Sequence, residues 1–217
     1  MESAAETMFA FLTKPICIIG YILFMMLSYF YLDKPVAIYF HQLNLTVTLP
    51  ILSYITQLGL GAIYIILFFC MGFFFRYIHI NYIWEARSWL LLVCVVIPGI
   101  ICNILKISLG RARPDLLFDQ HIYGFYGLHF HAPFLSCPSG HTTEIMGVVF
   151  GLSIIFLRGG YLLILIGLLI ASLRVILFRH YLSDVLIATY LTLIEIGIVL
   201  YICRRKHWLA PAWQRKD

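Results

Sequence analysis

Six apolar runs dominate the chain, and its polar residues gather between them. The runs cover Pro15–Leu32, Leu49–Phe75, Ser88–Leu109, Thr142–Leu157, Gly159–Phe178 and Leu182–Cys203. A helix crossing a bilayer needs about 20 mostly apolar residues, and its backbone must satisfy its own hydrogen bonds in the hydrocarbon. The pattern therefore predicts an all-α, polytopic membrane helix bundle of about six transmembrane helices. It predicts one membrane-embedded domain over residues 1–217, with no room for a separate soluble domain. The second run is long enough for a tilted helix or an additional interfacial turn. Arg158-Gly159-Gly160 reads as a tight turn between the fourth and fifth runs.

Composition agrees with the pattern. The chain has 217 residues, 62% apolar and 12% charged, where a soluble domain carries about 25% charged residues. The net charge of +5 is spread between the apolar runs. It forms no basic stripe, which argues against nucleic acid. Five of the six cysteines lie in or beside apolar runs, and none shows a metal-ligand spacing, so neither zinc nor a disulfide framework is expected. Residues 1–14 lack the basic region and cleavage pattern of a secretory signal, and the run that follows reads as a retained span.

Topology follows from lysine and arginine. Arg204, Arg205, Lys206, Arg215 and Lys216 close the chain, which puts the C-terminus in the cytoplasm. With six spans the N-terminus is cytoplasmic too, alongside Arg76, Arg87 and Arg158. The outer side then receives Lys34, Lys106, Arg111, Arg113, Arg174 and Arg179, against the charge rule. The conflict eases if several of these bind an anion. The connection Gly110–Gly140 carries His121, His129 and His131 among many aromatics, a composition suited to a segment lying against the headgroups.

Three short segments hold most of the chemistry-bearing residues: 106–114, 138–141 and 174–184. In a bundle, all three meet at the outer mouth of the last four spans. Lys106, Arg113 and Arg174 suit a clamp on the anionic oxygens of phosphate. Ser139 and Gly140 begin a helix, where unpaired N–H groups and the dipole favour an anion. One neutral imidazole can attack phosphorus while another, protonated, supplies a proton to the leaving alkoxide. His180 and Asp184 lie one helical turn apart, so the carboxylate can orient that ring. This spacing makes His180 the nucleophile, Asp184 its partner and His141 the acid and later the base. Charges at a membrane edge are costly and call for partners. Glu144 and Glu195 lack an assigned role, and Arg111 and Arg179 suit a second phosphate, a sugar headgroup or plain headgroup contact.

The sequence KISLGRARP at 106–114, PSGH at 138–141 and LRVILFRHYLSD at 173–184 resembles the type 2 phosphatidic acid phosphatases, in all three motifs and in their spacing. The likeness covers the last two thirds of the chain. It implies phosphate binding by Lys106, Arg113, Ser139, Gly140 and Arg174, with His141, His180 and Asp184 catalytic and no metal or cofactor. Leu173 stands where the family pattern has serine, which removes one minor polar contact. Soluble acid phosphatases and vanadium haloperoxidases share the pattern, so the spans here favour the lipid-phosphatase branch.

The expected reaction removes phosphate from a membrane lipid through a phosphohistidine. The candidate lipids are undecaprenyl pyrophosphate, phosphatidylglycerol phosphate, phosphatidic acid and lipid A phosphate. The compact length suits a bacterial inner membrane, with surrounding phospholipids as the other partners. A lipid-to-lipid phosphotransferase using the same site and a non-enzymatic transporter or scaffold are the competing readings. The sequence carries no signal for oligomeric state.

Overall fold

In the computed structural model, residues 3–43 and 45–213 are described. Arg215 and Lys216, counted above as cytoplasmic markers, lie outside them. Eight helices organise the fold: α1 (Ala4–Leu12), α2 (Pro15–Leu43), α3 (Gly61–Ile78), α4 (Tyr82–Leu109), α5 (Pro114–Gln120), α6 (Gly140–Ile155), α7 (Gly160–Ile176) and α8 (Leu182–Arg205). Five helical stretches, namely α2, α3, α4, Leu157–Ile176 and α8, are long and apolar enough to span a membrane, and α6 is a shorter apolar helix. No strand occurs among the described residues. Such a bundle is an integral membrane protein, and the expected count of about six is met by five long helices and one short one.

The short helix is the centre of the bundle. α6 packs on α4, α7 and α8, and its Met146 and Phe150 are fully buried. Small residues make the approach close enough: a side-chain carbon at Gly147 would lie 2.4 Å from the Cys94 carbonyl oxygen of α4. In a membrane, where apolar surface alone gives little reason for helices to associate, such small-residue contacts carry the packing. Some buried hydroxyls on these helices are satisfied within their own helix, as Ser88 donates to Trp84 O and Thr192 to Ala188 O, both at 2.8 Å.

Local sequence sets the helix ends. The Asn81 side chain accepts from the Ile83 and Trp84 N–H groups at 3.2 Å and starts α4. Gly110 ends it at φ 56°, with its N–H bonded to Lys106 O at 3.0 Å. The position also has no space for a side chain, because a Cβ there would lie 1.8 Å from Gly127 O.

One sequence expectation needs correction. The first span does not stop at Leu32: α2 continues to Leu43 through a π-helical turn at Ser28–Leu32. It can do so because Asp33, just past that turn, is buried against Arg111 instead of facing hydrocarbon. The second run is divided, in keeping with the additional turn its length allows. Pro50–Ile55 and the 3₁₀ turn Thr56–Gly59 form a separate segment, and the span starts only at Gly61. A further helix, α1, was not read from the sequence. Ser3 and Glu6 form a capping box at its start, and Glu6 pairs with Arg204 at the far end of α8.

Candidate active site

The three polar segments do meet. Lys106 occupies the last turn of α4, Arg113 immediately precedes α5, and Ser139 is the N-cap residue of α6. Arg174 lies in the last turn of α7, and Asp184 in the first turn of α8. The Ser139 N–H donates to the Asp184 carbonyl at 3.3 Å, which joins the second segment to the third. Lys106 Nζ lies 3.3 Å from where a Gly140 Cβ would stand, so glycine lets the ammonium reach the start of α6. The ammonium also donates to Leu135 O at 3.4 Å.

Charge balance distinguishes this mouth from an ordinary polar cluster. Among the described residues, Lys106, Arg113 and Arg174 form no ion pair. Arg174 donates from Nη1 to the Thr56 hydroxyl at 3.4 Å, and the buried Nε atoms of Arg113 and Arg174 have no hydrogen-bond partner. Burial lowers the proton affinity of Arg113 below the usual guanidinium range; Asp115 and Asp184 oppose the shift and Arg179 adds to it. Desolvated cations without carboxylate partners are costly, and an anion with several oxygens would relieve all of them.

The histidines sit against this cationic face. His180 is buried, with Nδ1 3.5 Å from Ser136 Oγ and 3.6 Å from Asp184 Oδ2. That spacing agrees with the one-turn separation read from sequence, although 3.6 Å is a loose contact. Burial pushes the imidazole down to about 3, Asp184 opposes that shift, and Lys106 and Arg174 add to it. His180 is therefore a neutral ring near pH 7, with Nδ1 turned to Asp184 and Nε2 the remaining nitrogen. His141 is half-buried in the first turn of α6. Gly59 approaches it so closely that a Cβ there would meet its Cβ and carbonyl oxygen at 3.0 Å.

Ser139 is fully buried, and its hydroxyl accepts from Thr142 at 3.0 Å, which leaves its own proton to donate. Arg179 is exposed beside a 150 Å³ cavity whose walls include His41 and Asp115. Arg111 departs from the sequence reading altogether. Its side chain is fully buried, so it contacts no headgroup; Nη2 donates to Asp33 Oδ2 at 2.6 Å and Nη1 to Asp184 Oδ1. Burial works against its charge, but Asp184 and Asp33 outweigh that and hold the guanidinium more firmly protonated than usual.

Sequence reasoning missed Asp33, Thr56 and Ser136 as members of this neighbourhood. An acid at the end of an apolar run was the available signal for Asp33, since such a group requires a partner. Thr56 and Ser136 gave none. Glu144, without a role in the sequence, accepts from the Gly61 N–H at 2.8 Å and so anchors the start of α3.

A bundle of membrane-spanning helices with three cations that lack carboxylate partners, gathered near two histidines, defines a class: a membrane protein whose polar end suits an oxyanion. The family model described as the PAP2 superfamily matches residues 87–208, more than half of the chain, and the chain belongs to that superfamily. It is 35% identical over 102 residues to a lipid A 1-phosphatase of Rhizobium etli, covering 46% of this chain and 44% of that protein. A lipid A 1-phosphatase of Rhizobium johnstonii is 34% identical over 102 residues, covering 46% and 42%. The alignments thus span less than half the length of these curated relatives. No solved structure matches the chain.

Proposed function

We propose that the protein is a metal-independent lipid-phosphate phosphatase acting through a phosphohistidine, with lipid A-type glycolipid 1-phosphate as its leading substrate. The observation that carries the reading is the unpaired cationic face of Lys106, Arg113 and Arg174 beside a neutral, buried His180. Relatives named lipid A 1-phosphatase support the choice among lipid phosphates. The bundle acts as one membrane-embedded catalytic domain. Its termini face the cytoplasm and the site faces the outer side of a bacterial inner membrane. Arg76, Arg87, Arg158 and Arg204–Lys206 fall at one end of the bundle and support that orientation.

The arrangement of these residues supports the following mechanism. The three cations, the Ser139 hydroxyl and the Gly140 N–H at the start of α6 hold the phosphate oxygens and stabilise the charge that grows on them. His180 Nε2 attacks phosphorus, an N–P bond forms, and the P–O bond to the lipid breaks. His141, protonated while the bound phosphate anion offsets the neighbouring cations, gives its proton to the departing oxygen. Asp184 keeps the His180 ring oriented and stabilises the positive charge it gains. Neutral His141 then takes a proton from water, the water oxygen attacks phosphorus, and the N–P bond breaks to release inorganic phosphate. His180 returns neutral and His141 returns protonated.

The test is phosphate release by the purified chain in EDTA from lipid A 1-phosphate, undecaprenyl pyrophosphate, phosphatidylglycerol phosphate and phosphatidic acid. Release that is fastest with lipid A and lost in His180→Ala is the expected result. Full activity in His180→Ala would sink the mechanism, and preference for another lipid would replace the substrate.

A further inference from the structure

Arg111, Asp33 and Asp184 form a cluster whose side chains are fully buried beside the proposed site. Its guanidinium forks between two helices, one arm on Asp33 of α2 and the other on Asp184 of α8. Ser183 ties the same pieces together: its N–H and hydroxyl donate to Asp33 at 2.9 and 2.5 Å, and its hydroxyl accepts from Arg111 at 2.7 Å. Four rings surround the guanidinium carbon, with centroids at 5.0 Å for Tyr29, 5.9 Å for Tyr123, 5.1 Å for Phe125 and 4.7 Å for Tyr181. Tyr123 is itself fixed by its bond to Tyr29 O at 2.6 Å. The fork therefore has little room to turn.

The two oxygens of Asp184 have different duties. Oδ1 takes the Arg111 bond, whereas Oδ2 accepts from Ser136 at 2.6 Å and the Tyr181 N–H at 3.0 Å, and faces His180 Nδ1. A carboxylate free to rotate would present either oxygen to the ring. Arg111 removes that freedom and also offsets part of the Asp184 charge. Asp33 holds Arg111 in turn, and it stands outside the segment 87–208 that the superfamily model matches.

We infer that Arg111 and Asp33 are positioning residues that act through Asp184 on His180, so that the first span takes part in setting the nucleophile. This inference rests on the phosphatase reading above. Lysine at 111 keeps the charge but cannot fork to two carboxylates. Small misplacements at a reacting centre cost about 100-fold in rate. The groups that bear on His180 are Asp184 and Ser136 on one side and Lys106 and Arg174 on the other. Weakening the Arg111 contact exposes His180 to the full Asp184 charge and raises its proton affinity.

The experiment measures phosphate release from lipid A 1-phosphate by the full chain in detergent, with pH profiles, for wild type, His180→Ala, Arg111→Lys and Asp33→Asn. Size-exclusion profiles and thermal unfolding report folding. Expected for Arg111→Lys is a fall in kcat of about 10- to 100-fold, KM within twofold, and an acid limb of kcat/KM moved to higher pH. Asp33→Asn shows the same pattern to a smaller degree, and it remains measurable if Arg111→Lys does not fold. A folded variant whose kcat and acid limb match wild type overturns the inference. So does an activity loss that only follows the folded fraction, without a shift of the limb. Absence of phosphate release from wild type, with any of the four lipids, instead overturns the phosphatase reading.

Discussion

The Gly61 N–H donates to the Glu144 carboxylate at 2.8 Å, binding the start of α3 to the first turns of α6 close to His141. A helix start carries unpaired N–H groups and partial positive charge, so a carboxylate there is stabilising. Just before Gly61 in the chain, Gly59 lies against His141 and Thr56 against Arg174. Glu144→Ala is expected to lower thermal stability by about 1–3 kcal/mol, the cost of leaving a buried donor unpaired. Glu144→Gln, which keeps an acceptor oxygen, should lose less. Equal melting temperatures for wild type and Glu144→Ala would show that the contact contributes nothing.

Gly110 is expected to be intolerant of any side chain. Its positive φ alone costs an alanine roughly 1–2 kcal/mol. The Gly127 carbonyl oxygen, 1.8 Å from the new Cβ, adds a clash with backbone. Because Arg111 and Arg113 follow within three residues, relief of that clash displaces both guanidinium groups. Gly110→Ala should therefore lose activity even in the fraction that stays folded, as read by phosphate release per folded molecule. Wild-type specific activity in that fraction would contradict the account.

How much of this was legible in the sequence depends on distance along the chain. Lys106 with Arg113, Ser139 with His141, and Arg174 with His180 and Asp184 are short-range patterns whose spacing carries meaning by itself. The convergence of all three needs only antiparallel helices with the segments at one end. Arg111 with Asp33 is different: the partners are 78 residues apart, and no local periodicity pairs them. The same holds for Thr56 with Arg174, 118 residues apart. Hydropathy located the spans but placed the end of the first at Leu32, because it scores Asp33 as a boundary. It cannot register that a cation from another segment neutralises that acid and lets the helix continue.

Acid should weaken the fold through His180. Its folded value, near 3, lies below the ordinary histidine value of 6.5, because burial favours the neutral ring. Between those limits the unfolded chain binds more protons than the folded one, so stability falls as pH drops from about 6.5 towards 3. Above that window His180 contributes no pH dependence. Unfolding temperature measured across it should fall more steeply for wild type than for His180→Gln. Parallel curves would mean that the folded ring titrates normally.

His141 should matter in proportion to how poor the leaving group is. Its proposed task in the first step is to protonate the departing lipid oxygen, a contribution worth about 10²–10⁴ in rate for general acids. A nitrophenolate leaves readily without that proton. His141→Ala is therefore expected to lose about 10²–10⁴ in kcat/KM on lipid phosphate and far less on nitrophenyl phosphate. Its second task, activating water, is the same for both substrates, because both pass through the same phosphohistidine. In the variant, phosphoenzyme formed from nitrophenyl phosphate should consequently accumulate, with a burst of nitrophenolate preceding slow turnover. Equal losses on the two substrates, with no burst, would move the proton donor away from His141.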